Sequence, residues 1–186
     1  MVGCVVVGLA GAACGTAQVG DEVRADGIGA EPLGPLVLDP ADIAHACAHV
    51  GVSSYSPVTA TASPTHPTVT DHVAYSVTLP GGGPYSGSVV WEVEENHVAV
   101  YVDPDATVSV SAPGVTVTDV NGGPVTITPA ECPQPDGGQP DYGTSDRGLY
   151  RYYEFTLSGA TPPFDLTVQL SHDDENPVLA LFENID

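Results

Sequence analysis

VAYSVTLPGGGPYSGSVVWEVEENHVAVYVD, residues 73–103, decides the class of fold. In its first part Val73, Tyr75, Val77 and Leu79 alternate with Ala74, Ser76 and Thr78, the period of two of a half-buried strand. Val89, Trp91 and Val93 then alternate with Val90, Glu92 and Glu94. After a turn at Glu95-Asn96, Val98, Val100 and Val102 alternate with Ala99 and Tyr101. The stretch predicts three consecutive antiparallel strands at the centre of a sheet, with Trp91 facing the core beside Val89 and Val93.

Further along the chain the same signal recurs in shorter pieces. Strands are expected at 107–111, 115–119 and 124–128, punctuated by the turn pairs Pro113-Gly114 and Asn121-Gly122-Gly123. A polar loop rich in Pro and Gly follows at 131–148, and then three more strands at 150–157, 164–171 and 178–182. This second meander resembles the first. Tyr75-Ser76-Val77-Thr78-Leu79-Pro80-Gly81 aligns with Tyr153-Glu154-Phe155-Thr156-Leu157-Ser158-Gly159, and Glu95-Asn96-His97-Val98 aligns with Glu175-Asn176-Pro177-Val178, the trace that a distant duplication leaves. With one more strand at 57–63, the expectation is an all-β fold, an antiparallel β-sandwich of roughly eight to ten short strands. It would occupy 39–186, with sub-modules 39–130 and 149–186.

One short helix is expected ahead of the strands. Asp39 is a good N-cap, Pro40 suits the first helical position, Asp42 is favoured by the helix dipole, and Gly51 is a natural stop. On that helix Ile43, Cys47 and Val50 share one face, while His45 and His49 share another.

Composition narrows the partners. Three Lys and Arg against 24 Asp and Glu give a formal net charge of −21 over 186 residues, so nucleic acid and anionic membrane surfaces repel the chain. Residues 1–14, MVGCVVVGLAGAAC, form an uncharged apolar run too short to span a bilayer but of the size of an export-signal core. Residues 15–38 are rich in Gly, acidic residues and Pro without a sustained period, as a flexible acidic tether is.

Two resemblances attach to these patterns. Leu9-Ala10-Gly11-Ala12-Ala13-Cys14 resembles the cleavage and lipidation box of bacterial lipoproteins, with Gly11 where that box carries Leu and with no basic residue before the apolar core. The layout of Cys, tether, helix and strands is similar to small bacterial envelope lipoproteins of unassigned function. The repeated Tyr-x-Val/Phe-Thr-Leu-x-Gly strand resembles the β-sandwich domains at the C-terminal ends of secreted peptidases. What the resemblance implies is lipidation at Cys14, a lipid anchor to the membrane and a location on the extracellular side of the cell envelope. It carries no activity to transfer.

Candidate chemistry is sparse. In an exported protein Cys47 and Cys132 are expected to pair, a disulfide contributing about 3–5 kcal/mol in the loop-entropy model; two buried thiols are the alternative. His45-Ala46-Cys47-Ala48-His49 invites a zinc or copper reading. On a helix, however, His45 and His49 can share an ion while Cys47 points the other way. Further ligands would have to come from His66, His72, His97 or nearby carboxylates. Oxygen-rich loops at 103–105, 136–146 and 173–176 are the candidates for calcium, none with EF-hand spacing. No nucleophile elbow, H-E-x-x-H or phosphate loop is present, so the chain is not read as an enzyme. The leading expectation is a non-enzymatic structural or binding module of the envelope, its partner an extracellular protein or glycan. The alternatives are a metal-binding protein using His45 and His49, and a carbohydrate-binding sandwich stacking sugars on Tyr85, Trp91 or Tyr101.

Overall fold

The computed structural model describes residues 38–52, 55–127, 151–174 and 177–185. Within them one helix, α1 (Pro40–Val52), precedes eleven strands: β1 (Ser56–Thr59), β2 (Thr68–Val69), β3 (Ala74–Thr78), β4 (Tyr85–Val93), β5 (His97–Val102), β6 (Thr107–Ser111), β7 (Thr116–Asp119), β8 (Val125–Thr126), β9 (Arg151–Ser158), β10 (Phe164–His172) and β11 (Val178–Asn184). They form two packed sheets, one ordered β1-β3-β11-β5-β9-β7 with β8 also paired to β9, the other β2-β4-β10-β6. The all-β sandwich expected from the alternation is the observed class. Both sheets are mixed, since β1 runs parallel to β3 and β2 parallel to β4, while the inner pairings are antiparallel.

The central stretch folds differently from the meander its periodicity suggests. β3 and β5 belong to the larger sheet and β4 to the smaller, so none of the three is hydrogen-bonded to the next. β9, β10 and β11 alternate between the sheets in the same way. A chain that crosses the sandwich at each turn presents the same inward residues as one that folds back in a hairpin, so alternation fixes which residues face the core and leaves the partners open. The pairing also joins the two halves: β4 lies against β10, and β5 sits between β11 and β9, so 39–130 and 149–186 are not separate modules. If β3, β4 and β5 are exchanged for β9, β10 and β11, the pairs β3–β11 and β5–β9 trade places while β4–β10 and β5–β11 map onto themselves. The aligned segments 75–81 and 153–159 therefore sit at matching places in the larger sheet.

Between the sheets lies the main core. Val89, Trp91 and Val93 of β4 are fully buried, as expected, and meet Val98, Val100, Val102, Phe182 and Leu166. Trp91 and Phe182 pack with ring centroids 5.5 Å apart. β4 alternates buried with exposed or half-buried positions, whereas β5 and β11 are buried almost throughout. The cause is a second core on the outer face of the larger sheet, where Ile43, Ala46 and Cys47 of α1 pack with Leu38 onto Ala99, Tyr101, Tyr152, Leu181 and Ile185. Strands covered on both faces need apolar residues at every position, which explains the unbroken runs VAVYV and VLALF.

The helix forms where its caps predict. Asp39 Oδ1 accepts from the amide of Ala41 at 2.8 Å, and Asp42 Oδ2 accepts from the amide of Asp39 at 3.1 Å, so the first orphan amides are satisfied reciprocally. α1 turns Ile43 and Cys47 inward and leaves His45 and His49 on its outer side. That orientation sets up the site.

Candidate metal centre

Among the described residues one group of metal-ligating side chains converges closely enough to hold an ion: His45, His49, His72 and Glu183, whose ligand atoms all lie within 4.8 Å of one another. Each arrives by a separate structural cause. His45 and His49 are one helical turn apart on α1, and their Nε2 atoms approach to 3.1 Å. His72 sits in the turn between β2 and β3, with its Nδ1 3.4 Å from His45 Nε2. Its backbone is left-handed, at φ 56°, an unfavourable region for a residue with a Cβ. The conformation is held by its own amide donating to Phe182 O at 3.1 Å, which fixes the turn beside β11. One residue further on, Glu183 points from β11 toward the histidines, and its Oε2 is 2.6 Å from His72 Nδ1.

The spacing has a chemical meaning. Zinc–imidazole bonds of about 2.0–2.1 Å in a tetrahedron put neighbouring ligand atoms roughly 3.3–3.4 Å apart. The observed 3.1 and 3.4 Å between imidazole nitrogens lie close to that value, the 2.6 Å carboxylate contact would open around an ion, and the remaining separations are within 4.8 Å.

Burial makes the carboxylate notable. Glu183 is 2% exposed, and its Oε1 has no hydrogen-bond partner among the described residues. Its close polar contact is the imidazole of His72, 2.6 Å from Oε2, which favours the charged carboxylate. A carboxylate in this state is costly unless a cation faces it. Burial pushes its pKa from the ordinary 4.5 up to about 7, against the pull of His72. His49 is held below its usual 6.5, first by burial and then by His45 and His72. An imidazole held neutral beside two others and a buried carboxyl group are ligands that a divalent cation stabilises.

An outer shell orients the ligands. Asp71 Oδ2 lies 3.4 Å from the far nitrogen of His72, Nε2, and accepts from Asn184 Nδ2 at 3.2 Å. Asn184 Oδ1 in turn accepts from the amide of Glu94 at 3.1 Å, tying the β4–β5 turn to the site. Carboxylate, imidazole and ligand position form the chain that fixes a histidine tautomer at a metal.

The other candidates fall elsewhere. Cys47 lies in the second core, away from the histidines, as the helical geometry requires. Cys14 and Cys132 lie outside the described residues, as do residues 136–146. His66 Nδ1 is 3.1 Å from Thr61 Oγ1 in a separate polar cleft. His97 Nε2 pairs with Glu154 Oε1 at 2.8 Å. In the oxygen-rich loops Asp103 Oδ2 accepts from the amide of Leu179 at 2.8 Å and Asp105 Oδ1 lies 3.3 Å from Arg151, so the protein's own donors engage these carboxylates. The stacking platform does not assemble: Trp91 and Tyr101 are buried at 0% and 1% exposure, and only Tyr85 of the three reaches solvent.

Reasoning from sequence reached His45 and His49, and held His72 among several possible third ligands. It did not reach Glu183. The available signal was a single acid directly after the apolar run VLALF, at a position where β11 is still covered on both faces. No family model, no curated protein and no solved structure matches the chain.

Proposed function

We propose that this chain is a binding module whose ligand is a divalent transition-metal ion, zinc or copper(II), held by His45 Nε2, His49 Nε2, His72 Nδ1 and the Glu183 carboxylate. The observation that carries the reading is the convergence of the buried Glu183 carboxylate with three imidazoles, whose ligand atoms all lie within 4.8 Å of one another. Three nitrogens and one oxygen suit both ions, and the absence of a thiolate from the set argues against copper(I). The module acts as a carrier or buffer of the ion and not as an enzyme. In the same reading residues 1–14 export the chain, Cys14 carries the lipid, 15–38 is the tether, and a Cys47–Cys132 disulfide fastens the end of α1. The domain then stands on the outer side of the envelope, where an acidic surface concentrates cations.

The test is titration of the purified full chain with zinc and with copper(II) by calorimetry. One ion per chain is expected, with affinity lost in the His45→Ala, His49→Ala double variant by more than the roughly 10–100-fold that loss of an outer-shell partner costs. Binding that is unchanged in the double variant ends the reading.

A further inference from the structure

The four ligands do not surround the ion evenly. His45, His72 and Glu183 line a cavity of about 350 Å³ whose other walls include Asp42, Glu94 and Glu95, while His49 is not among its lining residues. An ion held by these residues therefore faces the cavity on the side of His45, His72 and Glu183. Structural zinc sites are closed by protein on all sides. Here His45 and His72 are exposed, and the buried Glu183 lines a volume within the roughly 300–1,000 Å³ range of clefts that accept small ligands.

Resting on the reading of the site as a metal centre, we propose that this cavity is the port through which the ion is exchanged, and that it admits a neutral nitrogen donor of the imidazole class as an additional ligand while refusing anions. The metal's preference supplies the first half, since an ion bound by imidazoles accepts another imidazole readily. The walls supply the second. Asp42, Asp71, Glu94 and Glu95 line the cavity with negative charge, on a chain whose net charge is already −21, so an approaching thiolate, carboxylate or halide meets a repulsive field that a neutral donor does not. A donor entering here adds its bond before any protein ligand leaves, and the ion can pass to a histidine of another protein without being released to solvent.

Cobalt(II) loaded into the full chain reports both steps through its visible spectrum. The first titration, with cobalt alone, tests the metal centre: absence of a bound-cobalt band overturns the site and the port together. With cobalt bound, imidazole should produce a saturable spectral change and azide at equal concentration none. In the Glu94→Gln, Glu95→Gln double variant azide should bind about 10-fold more tightly, with imidazole affinity within about 2-fold of the parent. A spectrum indifferent to imidazole, or equally responsive to azide in the parent chain, overturns the port while leaving the metal centre standing. A short histidine-containing peptide distinguishes the sources of the donor: a response like that of imidazole supports delivery to a protein, and a response to free imidazole alone supports a small-molecule ligand at the same port.

Discussion

Two buried glutamates stand on the outer face of the larger sheet, one on each side of Ala99: Glu183 is paired in register with Ala99 from β11, and Glu154 from β9. Both are essentially unexposed, at 2% and 0%. Glu154 is satisfied at both oxygens, accepting from His97 Nε2 at 2.8 Å and from Asn121 Nδ2 at 2.9 Å. Glu183 has no such pair of donors: its Oε2 lies 2.6 Å from His72 Nδ1, and its Oε1 has no hydrogen-bond partner among the described residues. One sheet thus holds the same buried side chain in two conditions. The first is closed by protein donors and ties the turn after β7 to the sheet. The second faces imidazoles instead, and on the proposed reading a metal ion completes it.

The comparison breaks most visibly in stability. Glu154→Ala removes the acceptor shared by His97 and Asn121 and is expected to cost roughly 3 kcal/mol, read from the urea midpoint of the full chain without metal. Glu183→Gln should do the reverse in that assay, raising stability by about 1 kcal/mol, because an amide is less costly to bury without partners than a carboxylate. If both substitutions destabilise alike, Glu183 is ordinary structure.

Metal affinity should divide the pair the other way. Glu183→Gln is expected to weaken zinc binding by about 100-fold, whereas Glu154→Gln should leave it within about 3-fold, the two sites having no ligand in common. The ion also joins two elements, because His45 and His49 ride on α1 while His72 and Glu183 belong to the sandwich. At 100 times its dissociation constant zinc should therefore stabilise the chain by about 2.7 kcal/mol. Hydrogen exchange should slow along 40–52 on zinc addition and stay unchanged in β9 around Glu154. Protection spread evenly over both regions would mean that the ion does not act as a clasp on the helix.

Much of this arrangement was legible in the residues. The cap Asp39-Pro40, the inward Trp91 and the opposition of Cys47 to His45 and His49 all follow from local periodicity, and local periodicity survives folding because it is set by the backbone. Strand partners were not legible. Residues 73–103 read as three consecutive antiparallel strands with a turn at Glu95-Asn96, yet from β3 to β4 and again from β4 to β5 the chain crosses from one sheet to the other. Half of the site was hidden for the same reason. His45 and His49 are joined by a helix turn, but His72 and Glu183 come together only because the β2–β3 turn hydrogen-bonds to β11, a contact with no trace in spacing. Glu154 and Glu183 look alike in sequence, each an acid within an apolar strand, and their difference lies wholly in which donors tertiary structure brings to them.

The smallest expected effect is the most specific to Glu183. In the metal-free chain its folded pKa stands at about 7, above the 4.5 of an exposed carboxyl, because burial disfavours the charged form. The folded state then binds the proton more tightly than the unfolded state does, so the stability this group contributes is full below about 4.5, declines as pH rises, and is lost once pH has passed through about 7. His49 carries the opposite sign. Burial and its two imidazole neighbours hold it below 6.5, so its contribution is lost as pH falls below that value. The two slopes partly offset each other in the parent chain. Glu183→Gln removes one of them, and its advantage over the parent should be largest at pH 8, shrink through pH 6 and nearly vanish by pH 4.5, measured as the difference in urea midpoint with a chelator present. A difference that stays flat across this range would mean that the carboxylate is already compensated within the protein, and the contrast with Glu154 would disappear with it.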